Sequence, residues 1–434
     1  MILNHNPMPD RKASSRTPWT WVPTVYFAQG LPYVIVTVVS AILYKNLGLS
    51  NTQATFYTSW LYLPWVIKPL WSPLVEKLRT RRWWIWAMQF FGGAGMAGLA
   101  LTIPTTHFLQ LTLALFWLMA FSSATHDIAA DGFYILANTE HDQAFFSGVR
   151  NVSFNLAKIT AQGLMVALAG LLKEQTGEFA SAWAITLALA AGVFLSLATY
   201  HRFILPRPAG DIPGGTGPAD RLLDNFPDAF VDFFRKPGIV TLLCFLLLYR
   251  FGEAQLVKMA TLFLIDARNK GGLGLDNQQL SLAYGTAGVI ALICGGLAGG
   301  FVVSRRGLKF WLWPMALAIH LPDAVFVWLA NAQPRNLFAI SAAVAVEQFG
   351  YGFGFAAYML YMIYIARGKH QTAHYAICTG FMALGMMLPG MWSGWLADTI
   401  GYQHFFLWVL LATIPGFAVT ALIPLDAEFG KNKG

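Results

Sequence analysis

Hydrophobic positions run through this chain in blocks far longer than a strand or a soluble helix needs. About 20 mostly apolar residues carry an α-helix across a bilayer. Twelve stretches meet that requirement: 20–44, 53–74, 84–104, 108–137, 144–172, 180–205, 238–265, 278–303, 309–331, 336–365, 371–398 and 404–424. Polar residues gather between the blocks, and no alternation of period two suggests a β-barrel. The pattern predicts an all-α membrane protein of twelve transmembrane helices. The first 18 residues are polar and basic and lack the layout of a signal peptide, so span 1 is expected to be an uncleaved helix.

The spacing of the blocks predicts two halves. Residues 1–18 form an N-terminal tail, 19–206 a first six-helix bundle, and 207–236 a linker. Residues 237–425 form a second six-helix bundle, and 426–434 a C-terminal tail. Two equal six-helix bundles joined by a linker are the architecture of carriers that rock around a midplane site. The linker is rich in Pro and Gly up to Pro218. Beyond it Leu222, Leu223, Phe226, Phe230, Phe233 and Phe234 can share one face of an amphipathic helix lying along the membrane surface.

Composition agrees: 56% of the 434 residues are hydrophobic and 12% are charged, where a soluble protein carries about 25%. The formal net charge of +8 tracks topology. With both termini inside, nineteen Lys and Arg fall in tails and cytoplasmic loops and five (Lys45, Lys173, Arg268, Lys270 and Arg335) fall outside. The bias predicts both termini in the cytoplasm, and a nucleic-acid partner is not expected. Cys244, Cys294 and Cys378 are scattered over three spans and form neither a metal motif nor a disulfide framework.

Charges inside the spans are the informative exceptions, because each costs at least about 2.5–3.5 kcal/mol on insertion scales. In "FSSATHDIAADGFYILA" (121–137), Asp127 and Asp131 are four residues apart and share a helix face. His126 precedes them. Such a face should point into the bundle, toward the cations Arg150 and Lys158 of span 5 or Arg250 and Lys258 of span 7. Span 7, "LLYRFGEAQLVKMA" (247–260), pairs Arg250 with Glu253 at i, i+3. Span 10 holds Glu347 and Gln348 before a run of Gly350, Gly352 and Gly354 that is expected to weaken the helix. Span 9 carries His320 and Asp323 around Pro322, where internal packing and function are equally good readings. In span 1, "YFAQGLPY" (26–33), Gly30 and Pro32 are expected to break the helix, with Gln29 and Tyr33 flanking the break. Lys68 sits near the cytoplasmic boundary and is expected to snorkel.

After span 2 comes "KPLWSPLVEKLRTRR" (68–82), and after span 8 "GGLAGGFVVSRRG" (295–307). Both put small or helix-breaking residues before a basic turn, and they resemble the loop signature of the major facilitator superfamily. The resemblance implies a cytoplasmic gate at Lys68, Glu76, Arg79, Arg305 and Arg306. The first copy departs from the pattern, with Pro69 and Pro73 for Gly and Glu76 for Asp.

Taken with "GLP" (30–32), "ATHDIAADG" (124–132), "YRFGEA" (249–254) and "HYAICTGFMALG" (374–385) followed by "PGMWSGWLAD" (389–398), these motifs fall in order across nearly the whole chain. They resemble the AmpG-like muropeptide permeases and related acetyl-CoA transporters within that superfamily. His126 stands where Gln is expected, and Asn155 where span 5 commonly has a basic residue. The resemblance implies a major facilitator fold and proton-driven import of a bulky polar solute such as anhydromuramyl-peptide fragments. A siderophore or other anionic-metabolite permease, or an exporter, is the alternative.

Asp127, Asp131, Glu253 and Glu347 are expected to handle protons. Gln29, Tyr33, His126, Arg150, Asn155, Lys158, Arg250, Lys258 and Gln348 are expected to contact the small-molecule substrate. No cofactor or metal is implied, and the expected partners are protons, substrate and lipid bilayer, with the chain acting as a monomer. An enzyme is disfavoured because no nucleophile–base set or His-Glu-x-x-His motif occurs.

Overall fold

The computed structural model describes residues 17–213, 226–368 and 370–430. Among them there is no strand, and twelve helical spans form two six-helix bundles. Ten runs meet length and apolarity criteria for crossing a membrane. The second span is more polar and broken, and the last run contains two spans, which brings the count to twelve.

The first bundle contains α1 (Pro18–Asn46), α2 (Asn51–Trp60 and Leu63–Leu78), α3 (Arg81–Thr102), α4 (Phe108–Ala137), α5 (140–176) and α6 (Phe179–Ile204). The second contains α7 (Ile239–Ile265), α8 (Asn277–Arg306), α9 (Leu308–Ala332), α10 (Leu337–Ala366), α11 (371–400) and α12 (402–422). Gly401, at φ +77°, separates the last two, a conformation that only glycine adopts without strain. We call the side bearing residues 207–213 and 226–236 the linker face and the other the far face.

Large apolar side chains such as Leu101, Phe203 and Phe338 point outward, which lipid tolerates as water would not. Within the first bundle α3 packs on α4 and α6, and α1 on α5; within the second, α10 packs on α8 and α9. Across the seam, α2 meets α11 and α5 meets α8. Glycine makes the α5–α8 crossing possible. A Cβ on Gly285 would lie 2.3 Å from the Gln162 carbonyl oxygen.

Two expectations need correction. Gly30 and Pro32 do not break α1, which stays helical through Val34 and then widens into a π-turn over Ile35–Val39. Gly30 instead admits α5, since a Cβ there would meet that of Ala157 at 2.8 Å. The glycine run of span 10 does not weaken α10 either, which is continuous. Gly350, Gly352 and Gly354 bring it against backbone carbonyls of Ala318, Leu292 and Met315. Around Pro322, a single 3₁₀ turn, Leu321–Asp323, follows His320 within α9.

The linker helix, Phe226–Phe234, lays Ala229 and Phe233 against the start of α11, where the His374 ring approaches the Ala229 carbonyl at 3.1 Å. Leu222 and Leu223 lie outside the described residues. Earlier in the linker, Asp211 accepts from the backbone N–H groups of Arg81 and Arg82 at 2.7 and 3.0 Å. It thereby satisfies donors that the N-terminus of α3 leaves open.

Candidate functional site

The two acids of α4 each find a cation, and neither cation is on α4. Lys68 of α2 forms an ion pair with Asp127, and Gln29 of α1 donates to the same carboxylate. One turn on, Arg150 of α5 meets Asp131 at 2.5 Å, and the Tyr26 hydroxyl donates to it at 3.1 Å. The guanidinium lies over the rings of Tyr26 and Tyr134, at 4.2 and 4.3 Å from their centroids. Lys68 therefore does not snorkel to the boundary. Its stem runs inward because Asp127 offers a charge partner that lipid cannot.

Exposure separates this pair of sites. The side chain of Asp131 is 45% exposed and that of Arg150 29%, against 20% for Asp127. Tyr375 of α11 lies within electrostatic reach of both acids, so the acidic face looks across the seam toward the second bundle.

Helix α7 breaks at Tyr249–Arg250, where Arg250 leaves helical geometry and becomes the N-cap of the segment Phe251–Ile265. Glu253 sits in the first turn of that segment, a favourable place for an acid, and Arg250 donates to it at 2.9 Å. Arg250 also donates to the Tyr351 hydroxyl at 2.8 Å and lies over the Phe355 ring. Unlike Asp131, the side chain of Glu253 is 0% exposed. In this conformation Arg250 and its aromatic neighbours close over it. Lys158 of α5 lies within electrostatic reach of Arg250 and near the Phe154 ring. Tyr33 stacks edge-on with Trp65 and near Phe154. Charged groups from both bundles thus meet among aromatic rings, an arrangement able to hold an anionic, amphipathic solute.

Other expected site residues stand apart. His126 turns away from the seam into the first bundle, where its Nε2 meets the Gln89 side chain at 2.8 Å. Gln89 in turn meets His201 at 2.7 Å. Asn155 donates to Asn151 on its own helix. Gln348 donates to Glu347 at 2.9 Å, and the second oxygen of Glu347 is buried without a partner. Lys258 is buried between α7, α2 and α11. Of the expected gate, Arg79, Arg305 and Arg306 lie over Trp83, Phe301 and Phe310 of their own bundles. The Glu76 side chain lies outside the described residues.

Residues to which the sequence gives no role beyond loop charge tie the bundles together at the far face. Lys45 of α1 pairs with Asp266, just past α7, at 2.9 Å. Tyr402 donates to Asp266 at 3.0 Å, and Asn51 of α2 donates to Tyr402 at 2.8 Å. Asp398 of α11 accepts from Asn51 at 2.9 Å and from the backbone N–H and hydroxyl of Thr52 at 2.9 and 2.7 Å. A carboxylate of one bundle thereby caps a helix of the other. Burial opposes ionisation of Asp266, but hydrogen bonding and charge from Lys45, with Tyr402 and Asn51, hold its carboxyl below the ordinary range. These residues sit at span ends, where loop charge is expected anyway. Only the "SNTQ" start of α2 signals a capped helix in the sequence.

The profile of the Major Facilitator Superfamily matches residues 24–388. The Escherichia coli (strain K12) "Anhydromuropeptide permease" is 25% identical over 411 residues, 93% of this chain and 79% of that protein. A Rickettsia conorii "Putative transporter AmpG 4" is 25% identical over 90% of this chain and 92% of its own length. In fold, the chain is similar to the nucleoside transporter NupG (TM-score 0.68, 15% identity, 93% of this chain and 98% of that one). It is equally similar to a bacterial homologue of the lysosomal transporter Spinster in an inward-facing, unoccupied conformation (TM-score 0.70, 15% identity, 93% and 95%).

Proposed function

Since the chain belongs to the major facilitator superfamily, we propose that it is a proton-coupled importer of a bulky polar solute of the anhydromuramyl-peptide class. The permease from Escherichia coli supports the solute class. One observation carries the coupling: the half-exposed Asp131–Arg150 pair one turn from the less exposed Asp127–Lys68 pair.

A carboxylate held by a cation within a membrane span is a two-state element. A proton arriving at Asp131 neutralises it, releases Arg150 from its ion pair, and changes which arrangement of α4, α5 and α1 is favoured. Asp127, on the same face, is the second position on this path. In the other bundle, Glu253 is neutralised by Arg250, and Glu347 keeps one oxygen free for a proton. Arg250, Lys158 and the surrounding rings supply the solute site, with Tyr33 at its edge. The far-face clasp is closed here. With the linker face as the cytoplasmic one, as the Lys/Arg bias argues, this conformation is one that is closed to the outside in an alternating-access cycle.

The test is uptake of a labelled anhydromuramyl tripeptide into proteoliposomes containing the purified protein. An inward proton gradient should drive accumulation above the equilibrium level, and Asp131→Asn should leave only gradient-independent entry. Accumulation that ignores the gradient, or survives Asp131→Asn unchanged, overturns the coupling.

A further inference from the structure

Resting on this transport reading, we propose that Lys258, Thr58 and Ser59 form an anion-binding subsite in the far-face half of the seam. It opens when the bundles part there, and it takes a carboxylate group of the incoming solute.

Lys258 is 3% exposed. Its ammonium group has one long hydrogen bond, to the Thr58 hydroxyl at 3.3 Å, and lies 4.9 Å from the Tyr62 ring centroid. Lys68, Arg150 and Arg250 are each matched by a carboxylate. Among the described residues, no such partner is within ion-pair distance of Lys258. A second group is also unsatisfied: the Ser59 hydroxyl is fully buried and has no hydrogen-bond partner.

The two crowd the same spot. A Cβ on Gly390 of α11 would lie 2.6 Å from Ser59 Oγ and 3.0 Å from Lys258 Cγ. One glycine thus marks where α2, α7 and α11 converge. The ammonium group and the Ser59 hydroxyl, with no carboxylate beside them, suit an anion and repel a cation; the Thr58 hydroxyl donates to the Ala54 carbonyl at 2.7 Å and steadies the ammonium group from the other side. Burying a cation with so little compensation is costly, and the cost is relieved when the seam opens and an anion reaches it. Arg250 lies two turns further along α7 toward the linker face, so an anionic group held first at Lys258 has a second cation along its path.

The decisive experiment needs no transported solute. In full-length protein with Cys244, Cys294 and Cys378 replaced by Ala, Ser59→Cys is combined with Asp398→Asn to loosen the far face. Labelling is then timed with membrane-impermeant sulfonatoethyl and trimethylammonium-ethyl methanethiosulfonates, each rate divided by that reagent's rate with free cysteine. Lys258 should make the anionic reagent faster by about tenfold. Lys258→Gln should bring the ratio near one, and Lys258→Arg should restore it, which excludes misfolding as the cause. Equal rates with Lys258 present, or no labelling at all, overturn the subsite. A second arm compares uptake of an anhydromuramyl tripeptide with its carboxyl-amidated form. If wild type accumulates the acid form and Lys258→Gln keeps the same preference, the subsite fails while the proposed function stands. If wild type accumulates neither, the proposed solute fails and the labelling ratio still decides the subsite.

Discussion

Lys68 of α2 and Asp127 of α4 are 59 residues apart and form an ion pair within the membrane-spanning part of one bundle. Gln29 completes the carboxylate's shell. Removing either charge alone leaves the other in a poor solvent. Lys68→Met should destabilise the protein by about 1–3 kcal/mol, below the range for a fully buried pair because both side chains keep some exposure. The double variant Lys68→Met/Asp127→Asn should recover most of that loss without recovering transport. Thermal unfolding in detergent beside proteoliposome uptake separates the two. Recovery of both would make the pair structural only.

Arg150 does more than neutralise Asp131. Its guanidinium is sandwiched against Tyr26 and Tyr134, a planar contact that an ammonium group reproduces poorly. Arg150→Lys keeps the charge and should still fold. Losing two ring contacts at about 0.5–1 kcal/mol each should lower uptake by roughly tenfold. A Lys variant with wild-type uptake would show that charge alone suffices.

The twelve spans, two halves and intramembrane charges were legible because each rests on local composition. A run of apolar residues spans lipid wherever it stands, and Arg250 with Glu253 are neighbours on one helical turn. What the sequence concealed depends on which helices meet. Lys68 reads as a boundary residue until α4 is placed beside α2. His126 reads as part of the Asp127 face, although a one-residue step turns it about 100° away toward Gln89 and His201. Asp266, Asp398 and Lys45 look like ordinary loop charges, because nothing local reveals that α1, α2, α7 and α11 converge at the far face.

Close approach at the seam makes a glycine substitution informative. A Cβ at Gly285 would sit 2.3 Å from the Gln162 carbonyl oxygen and 2.6 Å from the Gly163 nitrogen, both backbone atoms that cannot swing aside. Gly285→Ala should therefore oppose far-face closure by about 1–3 kcal/mol, the usual cost of overpacking. Spin labels at Glu174 and Gln278, whose side chains meet across the seam at 3.0 Å, should report a longer distance population than in wild type. An unchanged distribution would mean that the seam relaxes without opening.

The far-face clasp makes a prediction about pH whose sign follows from Asp266. Burial alone would raise its pKa, but Lys45, Tyr402 and Asn51 together stabilise the carboxylate and hold the value below the ordinary one, which is near 4. A depressed acid contributes its stabilisation above the ordinary pKa and loses it only as pH falls through the lower, native value. The clasp should therefore be indifferent to pH between about 8 and 5. Any change of the 174–278 distance distribution over that window should be the same in wild type and in Asp266→Asn, because its source lies elsewhere, at Asp131 in the reading above. Lys45→Met and Asp266→Asn should each open the far face at every pH in the window. A pH-dependent step present in wild type and missing from Asp266→Asn would make Asp266 itself the proton-responsive group and move the coupling site from α4 to the seam.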